Sequence, residues 1–199
     1  MKHHGVKRTL AIFVSILMVL SVFPFGALTA FAENGAAADD WASLQAAFNE
    51  GGTVTLSGDV TAPAGAAALT VPSRTRVTLY LNGRTVDRAL TEETEKGSVI
   101  IVSGELDVFG PGTITGGNTS GSGGGLWVKR GGSVVLDEDV VVSGNHARYT
   151  GGGVYVSGSN ASFSMMDGTS VTHNSAKKRR RSCAGQYRLH FRVQRKHLQ

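Results

Sequence analysis

The sequence predicts an all-β solenoid, and three observations carry that expectation. A block of about 28 residues recurs. Each block consists of short runs rich in Val, Ile and Thr with period-two alternation, which means strands. The runs are separated by Gly, Ser, Asn and Asp, the residues of tight corners.

The repeat is plainest in its opening words. Gly123-Gly124-Gly125-Leu126-Trp127-Val128 returns as Gly151-Gly152-Gly153-Val154-Tyr155-Val156. A second run follows each, Ser133 to Leu136 and then Ser162 to Met165. A third run follows, Val140 to Ala147 and then Thr169 to Ala176, with one extra residue in the later copy. A degenerate earlier copy ends in Gly112 to Asn118. Runs of three to five residues are too short for helices, and one unit cannot bury its apolar face alone. Stacking pairs each strand with its counterpart one coil away, about 4.8 Å along the axis, and joins the inward residues into one core. Glycines at the corners supply positive φ. Upstream, Thr53 to Leu56, Ala68 to Val71, Val77 to Leu81, Val99 to Val102 and Glu105 to Val108 read as further strands. Asn82-Gly83 and Pro111-Gly112 read as turns, and Leu90 to Gly97 as an exposed, charged loop. Four to six coils are expected.

One helix precedes the repeats. Asp40 caps it, Trp41, Leu44 and Phe48 share a face, and Gly51-Gly52 ends it. It is expected to close the open N-terminal end of the core; packing against one side of a sheet is the alternative.

Residues 1–32 are expected to be a cleaved export signal. Lys2, Lys7 and Arg8 precede an apolar run from Leu10 to Val22, Pro24 and Gly26 break it, and Ala30-Phe31-Ala32 offers a peptidase site. The run is shorter than the roughly 20 residues of a spanning helix, and no later stretch reaches that length. The expected location is secreted or at the cell surface. Charge is segregated to match: all 15 acidic residues lie in 33–176, which hold eight Lys and Arg and are net −7. The only cysteine, Cys183, lies in the last segment, so no disulfide framework is expected.

At Lys177 the character changes. A new repeat is due near residue 179, but the chain reads Lys177-Lys178-Arg179-Arg180-Arg181. Written AAA AAA CGG CGG AGG, the run shifted by one base gives Lys-Asn-Gly-Gly-Gly, the missing start. Gln186 to Gln199, suitably coded and shifted likewise, gives Ser-Thr-Ala-Ser-Ile-Ser-Gly-Phe-Arg-Gly-Asn-Ile-Ser. Residues 177–199 are therefore expected to be a frameshifted, disordered ending, with the intact protein continuing in further coils. The rival is a genuine basic tail that binds an anionic polymer by charge; export argues against nucleic acid.

The Gly-Gly-Gly unit, the closing Gly144-Asn145-His146-Ala147 and His173-Asn174-Ser175-Ala176, and the opening Leu79-Tyr80-Leu81-Asn82-Gly83-Arg84-Thr85-Val86 resemble right-handed parallel β-helix proteins of the pectin-lyase-like superfamily. The repeats are similar to the polymorphic outer-membrane-protein type of bacterial surface proteins and adhesins. The resemblance covers roughly residues 40–176. It implies a right-handed parallel β-helix over 53–176, with a linker and capping helix at 33–52. Function does not follow from the fold, which carries lyases, hydrolases and binding surfaces alike.

Catalytic chemistry finds little support. Asp137-Glu138-Asp139 is the best carboxylate cluster, but it sits at a turn and its repeat counterpart is Met166-Asp167-Gly168. A glycosidase needs two carboxyls at a set separation. His146 and His173 fall at matching or adjacent corners and read as turn residues facing water rather than metal ligands. Asn118, Asn145 and Asn174 end their units and are expected to stack as a hydrogen-bonded ladder. Gly121 to Gly125 lacks the context and lysine of a phosphate loop. Trp127 and Tyr155 hold equivalent positions whose neighbours are apolar, so strand alternation points them outward. There they form an aromatic pair suited to a sugar ring. The expectation is a non-catalytic secreted or surface solenoid, a fragment of an adhesin-type or glycan-contacting protein. Its partner would be carbohydrate or a host or cell-surface ligand. No catalytic residue, metal, cofactor or nucleic acid is expected, and nothing in the pattern sets an oligomeric state. The alternative is the N-terminal fragment of a β-helix polysaccharide lyase or glycoside hydrolase.

Overall fold

The computed structural model describes residues 35–177. Residues 1–32, expected to be an export signal, and all but the first residue of the basic tail lie outside the described residues. Within them, short strands follow one another around a closed path and pair with their counterparts one coil on. Four sheets result, and every pairing is parallel. The chain is a parallel β-solenoid of about four turns, with one short helix.

The longest sheet runs β1 (Ala36–Ala38), β2 (Gly52–Leu56), β5 (Arg76–Tyr80), β8 (Glu105–Phe109), β12 (Ser133–Asp137), β16 (Ser162–Met165). A second contains β4 (Leu69–Val71), β7 (Ile100–Val102), β11 (Leu126–Val128) and β15 (Val154–Val156). A third contains β3 (Val60–Thr61), β6 (Thr85–Asp87), β9 (Gly112–Thr115), β13 (Val140–Ser143) and β17 (Ser170–Thr172). These contain the three runs expected per unit. The fourth was not expected: β10 (Asn118–Thr119), β14 (His146–Ala147) and β18 (Ser175–Ala176), extended by a bridge from Thr94 to Thr119. Strands of two residues are too short to show alternation, so the third run reads through to Ala147 and Ala176 where the structure turns a corner at Asn145 and Asn174 and starts a separate strand.

Alternation places the core as expected. Val54, Leu56, Leu69, Val77, Leu79, Ile100, Leu106, Ile114, Leu126, Leu136 and Val142 are buried along the axis in one cluster. The Gly-Gly-Gly corner has two separate causes. Gly123 and Gly151 adopt positive φ, +77° and +64°. Gly124 does not; a Cβ there would lie 2.4 Å from the Gly152 carbonyl oxygen and 2.5 Å from that of His146. The middle glycine exists because neighbouring coils pass too close for any side chain.

The helix α1 (Trp41–Glu50) forms where expected. The Asp40 carboxylate accepts from the Ser43 N–H at 2.7 Å, and Ser43 Oγ accepts from the Asp40 N–H, a reciprocal cap. That charge-assisted bond holds the Asp40 carboxyl below the usual range. Trp41, Leu44, Ala47 and Phe48 are buried in the common core. The helix packs on β1 and β4, the N-terminal edge strands of their sheets, and on β2 beside β1. It therefore closes the core rather than lying along one side. Residues 33–52 hold more than a linker and helix, because Ala36–Ala38 forms β1 against β2. An Ala-Ala-Ala run has no periodicity to announce a strand.

The predicted asparagine ladder has two rungs, not three. Asn145 and Asn174 occupy it, whereas Asn118 pairs in register with His146 on the fourth sheet. Gly117 takes the third place, its N–H donating to Asn145 Oδ1 at 2.9 Å. The Leu90 to Gly97 loop is exposed apart from the half-buried Leu90 and Glu93 and the buried Gly97.

Candidate functional site

The predicted aromatic pair stands on β11 and β15. Trp127 and Tyr155 are register partners, and Leu126 and Val128 on either side of Trp127 are buried, so both rings take the outward parity. The glycine corner folds against them: a Cβ on Gly123 would lie 3.0 Å from Trp127 Cβ and 3.1 Å from Tyr155 Cβ. The indole N–H donates to Ser157 Oγ at 2.9 Å, and the Lys129 ammonium lies 4.5 Å from the ring centroid. The indole is thus oriented, and one face carries a cation. A second outward aromatic pair lies on the longest sheet, where Tyr80 and Phe109 stack with centroids 5.0 Å apart. Its signal was available in the sequence, since both end equivalent strands on the outward parity.

Sequence reasoning missed a polar trough beside the fourth sheet, a cavity of about 940 Å³ lined by Thr91, Glu92, Glu93, Asn118, His146, Arg148, Tyr149 and Lys177. Strand alternation builds its floor. Thr119 and Ala147 face the core, so Asn118, His146 and Ser175 point outward, and Arg148 and Lys177 follow on the same parity. The loop before Gly97 lays Glu93 across them. Arg148 Nε donates to Glu93 Oε2 at 2.7 Å, and Lys177 Nζ to Oε1 at 3.3 Å. The Arg148 bond comes first among the causes that hold the Glu93 carboxyl below the usual glutamate range.

His146 lies between Glu93 and Ser175. Its Nε2 is 3.4 Å from Glu93 Oε1, and its Nδ1 is 2.8 Å from Ser175 Oγ. The Ser175 hydroxyl and His146 Nδ1 share one hydrogen bond, whose donor is set by the imidazole tautomer. The order Ser–His–Glu resembles a nucleophilic relay, but two parts argue against one. Glu93 already serves two cations, and the Ser175 N–H donates to Asn145 O rather than facing a developing oxyanion. The arrangement is suited to binding.

The other candidates are placed as follows. Glu138 and Asp139 are exposed at a corner, both with positive φ. His146 and His173 do not stack: His146 pairs with Ser175, and His173 O accepts from the Gly144 N–H. Among the described residues, no three His, Cys, Asp or Glu side chains converge to hold a metal, and no helix is long and apolar enough to cross a membrane.

Fold and flank define the class of protein: a helix-capped parallel β-solenoid that displays aromatic and polar ladders on its sides. Beyond that class, no protein family, curated protein or solved structure matches the chain.

Proposed function

We propose that this chain is a secreted or cell-surface β-solenoid without catalytic function, and that its flank contacts carbohydrate. The observation that carries the reading is the outward ladder of Trp127 over Tyr155, two flat apolar faces one strand spacing apart. Such faces stack on the C–H surface of a sugar ring. The layout of residues 1–32 supports export, and the Gly-Gly-Gly repeats support kinship with adhesin-type β-helix proteins. The in-register codon shift after Lys177 supports a protein that continues in further coils. Non-catalytic action is supported by the occupied Glu93 carboxylate and the solvated Asp137-Glu138-Asp139 corner.

Trp127→Ala is expected to weaken binding on a glycan array by about tenfold, the loss of one stacking contact, while the circular dichroism spectrum is kept. Unchanged array binding with the fold intact would overturn the reading.

A further inference from the structure

We propose that the trough bounded by Glu93, Arg148 and Tyr149 is a ligand site in its own right, and that it takes a neutral, hydroxyl-rich saccharide. The inference rests on the carbohydrate reading above and deepens it, because it names a second place and a substrate class.

Charge selects the class. Two carboxylates, Glu92 and Glu93, line the trough with two cations, Arg148 and Lys177. Over the described lining residues, with His146 neutral, the formal sum is zero, so these side chains present no net field to an anionic or a cationic ligand. A uronate would also have to displace Glu93 from the cations that hold it.

Unmet hydrogen bonding selects hydroxyls. Among the described residues, Asn118 Oδ1 and His146 Nε2 are shielded from water and lack a hydrogen-bond partner. Such atoms are rare in folded proteins and call for a partner, which an ordered water or a ligand hydroxyl supplies. Asn118 Oδ1 is an acceptor, and His146 Nε2 donates or accepts according to its tautomer. A sugar hydroxyl donates and accepts at once, so neighbouring hydroxyls satisfy both. Asn118 Nδ2 reaches Thr91 O at only 3.4 Å, which leaves that amide free to turn toward a ligand.

Shape agrees. The floor runs from β10 through β14 to β18, two strand spacings or about 10 Å, which is room for two sugar rings. Tyr149 stands on the rim with 45% of its surface exposed, and offers a flat face to one of them. Unlike Trp127, it has no cation over its ring among the described residues.

The test uses the full 199-residue chain and titration calorimetry with neutral β-1,4-linked hexasaccharides of glucose, mannose and xylose, and with hexagalacturonate as the charged comparison. In the Trp127→Ala/Tyr155→Ala variant, which lacks the aromatic ladder, binding of one neutral hexasaccharide is expected to persist. Adding Asn118→Ala or Tyr149→Ala should weaken it about tenfold. If the ladder-less variant melts early, Asn118→Ala in the parent chain gives the same readout. Binding that vanishes with the ladder alone, the melt being unchanged, overturns the trough and leaves the carbohydrate reading standing. Preference for hexagalacturonate overturns the neutral class. Absence of binding to every oligosaccharide by the parent chain overturns both.

Discussion

The side-chain amide of Gln45 pairs with the backbone of Thr70 as a strand would. Gln45 Oε1 accepts from the Thr70 N–H at 2.8 Å, and Gln45 Nε2 donates to Thr70 O at 3.0 Å. β4 is the edge of its sheet, and an unpaired edge is a template for unwanted strand addition. The cap therefore closes the backbone of the first coil as well as its apolar interior. Gln45→Ala should lower unfolding free energy by about 1 kcal/mol, since the freed groups turn to water. Equilibrium urea unfolding measures it, and an unchanged midpoint would show that the amide pair contributes nothing.

Asn145 is the most heavily used polar side chain of the interior. It is 1% exposed, accepts from the Gly117 N–H, and donates to Ile114 O, Ser143 O and Asn174 Oδ1. Asn145→Ala strands several buried backbone groups at once, so a loss of about 3 kcal/mol is expected. Asn174→Ala, at the last rung, should cost less than half as much. Comparable losses at the two sites in thermal melts would contradict the ladder.

Two glycines separate the two causes found at the corners. Gly124→Ala pushes a Cβ into the carbonyls of Gly152 and His146, backbone that cannot rotate away. A cost of about 2–3 kcal/mol follows from overpacking. Gly131→Ala meets nothing within 4 Å but must keep φ near +76°. Its cost should be about 1 kcal/mol, from the left-handed backbone alone. The reverse order of stabilities would refute the close-approach account.

Glu93 ties its loop to strands of later coils, and pH reports on that tie. Its folded carboxyl is held below the usual value, chiefly by Arg148. A group depressed on folding contributes stability above its unfolded pKa, near 4.3, and loses it as pH falls through the lower folded value. Glu93→Gln should therefore melt below the parent at pH 6, with the gap narrowing toward pH 3. A gap independent of pH would mean that Glu93 acts through packing.

The two-residue period of Val77 to Leu81 or Ser133 to Leu136 states which side chains face the core, and stacking then follows from geometry. Trp41, Leu44 and Phe48, spaced for one helix face after a capping Asp40, announced the cap. The outward parity of Trp127 and Tyr155 was legible for the same reason. The trough was not. Glu93 sits in a charged loop that lacks the Asn-x-Ala word of the later corners, so nothing in its own residues announced that it lies two coils before Arg148 and three before Lys177, 55 and 84 residues away.

The sequence by itself determined the solenoid, because the chain need only repeat a local pattern for each coil to template the next. It also determined the strand parities and the capping helix, which depend on spacing within a few residues. Only the tertiary structure decided the fourth sheet, the loss of Asn118 from the ladder and the gathering of Glu93, His146 and Arg148. Two-residue strands carry no alternation of their own. They become strands because the coils on either side hold them within hydrogen-bonding distance, and the trough exists because those strands align side chains from distant parts of the chain.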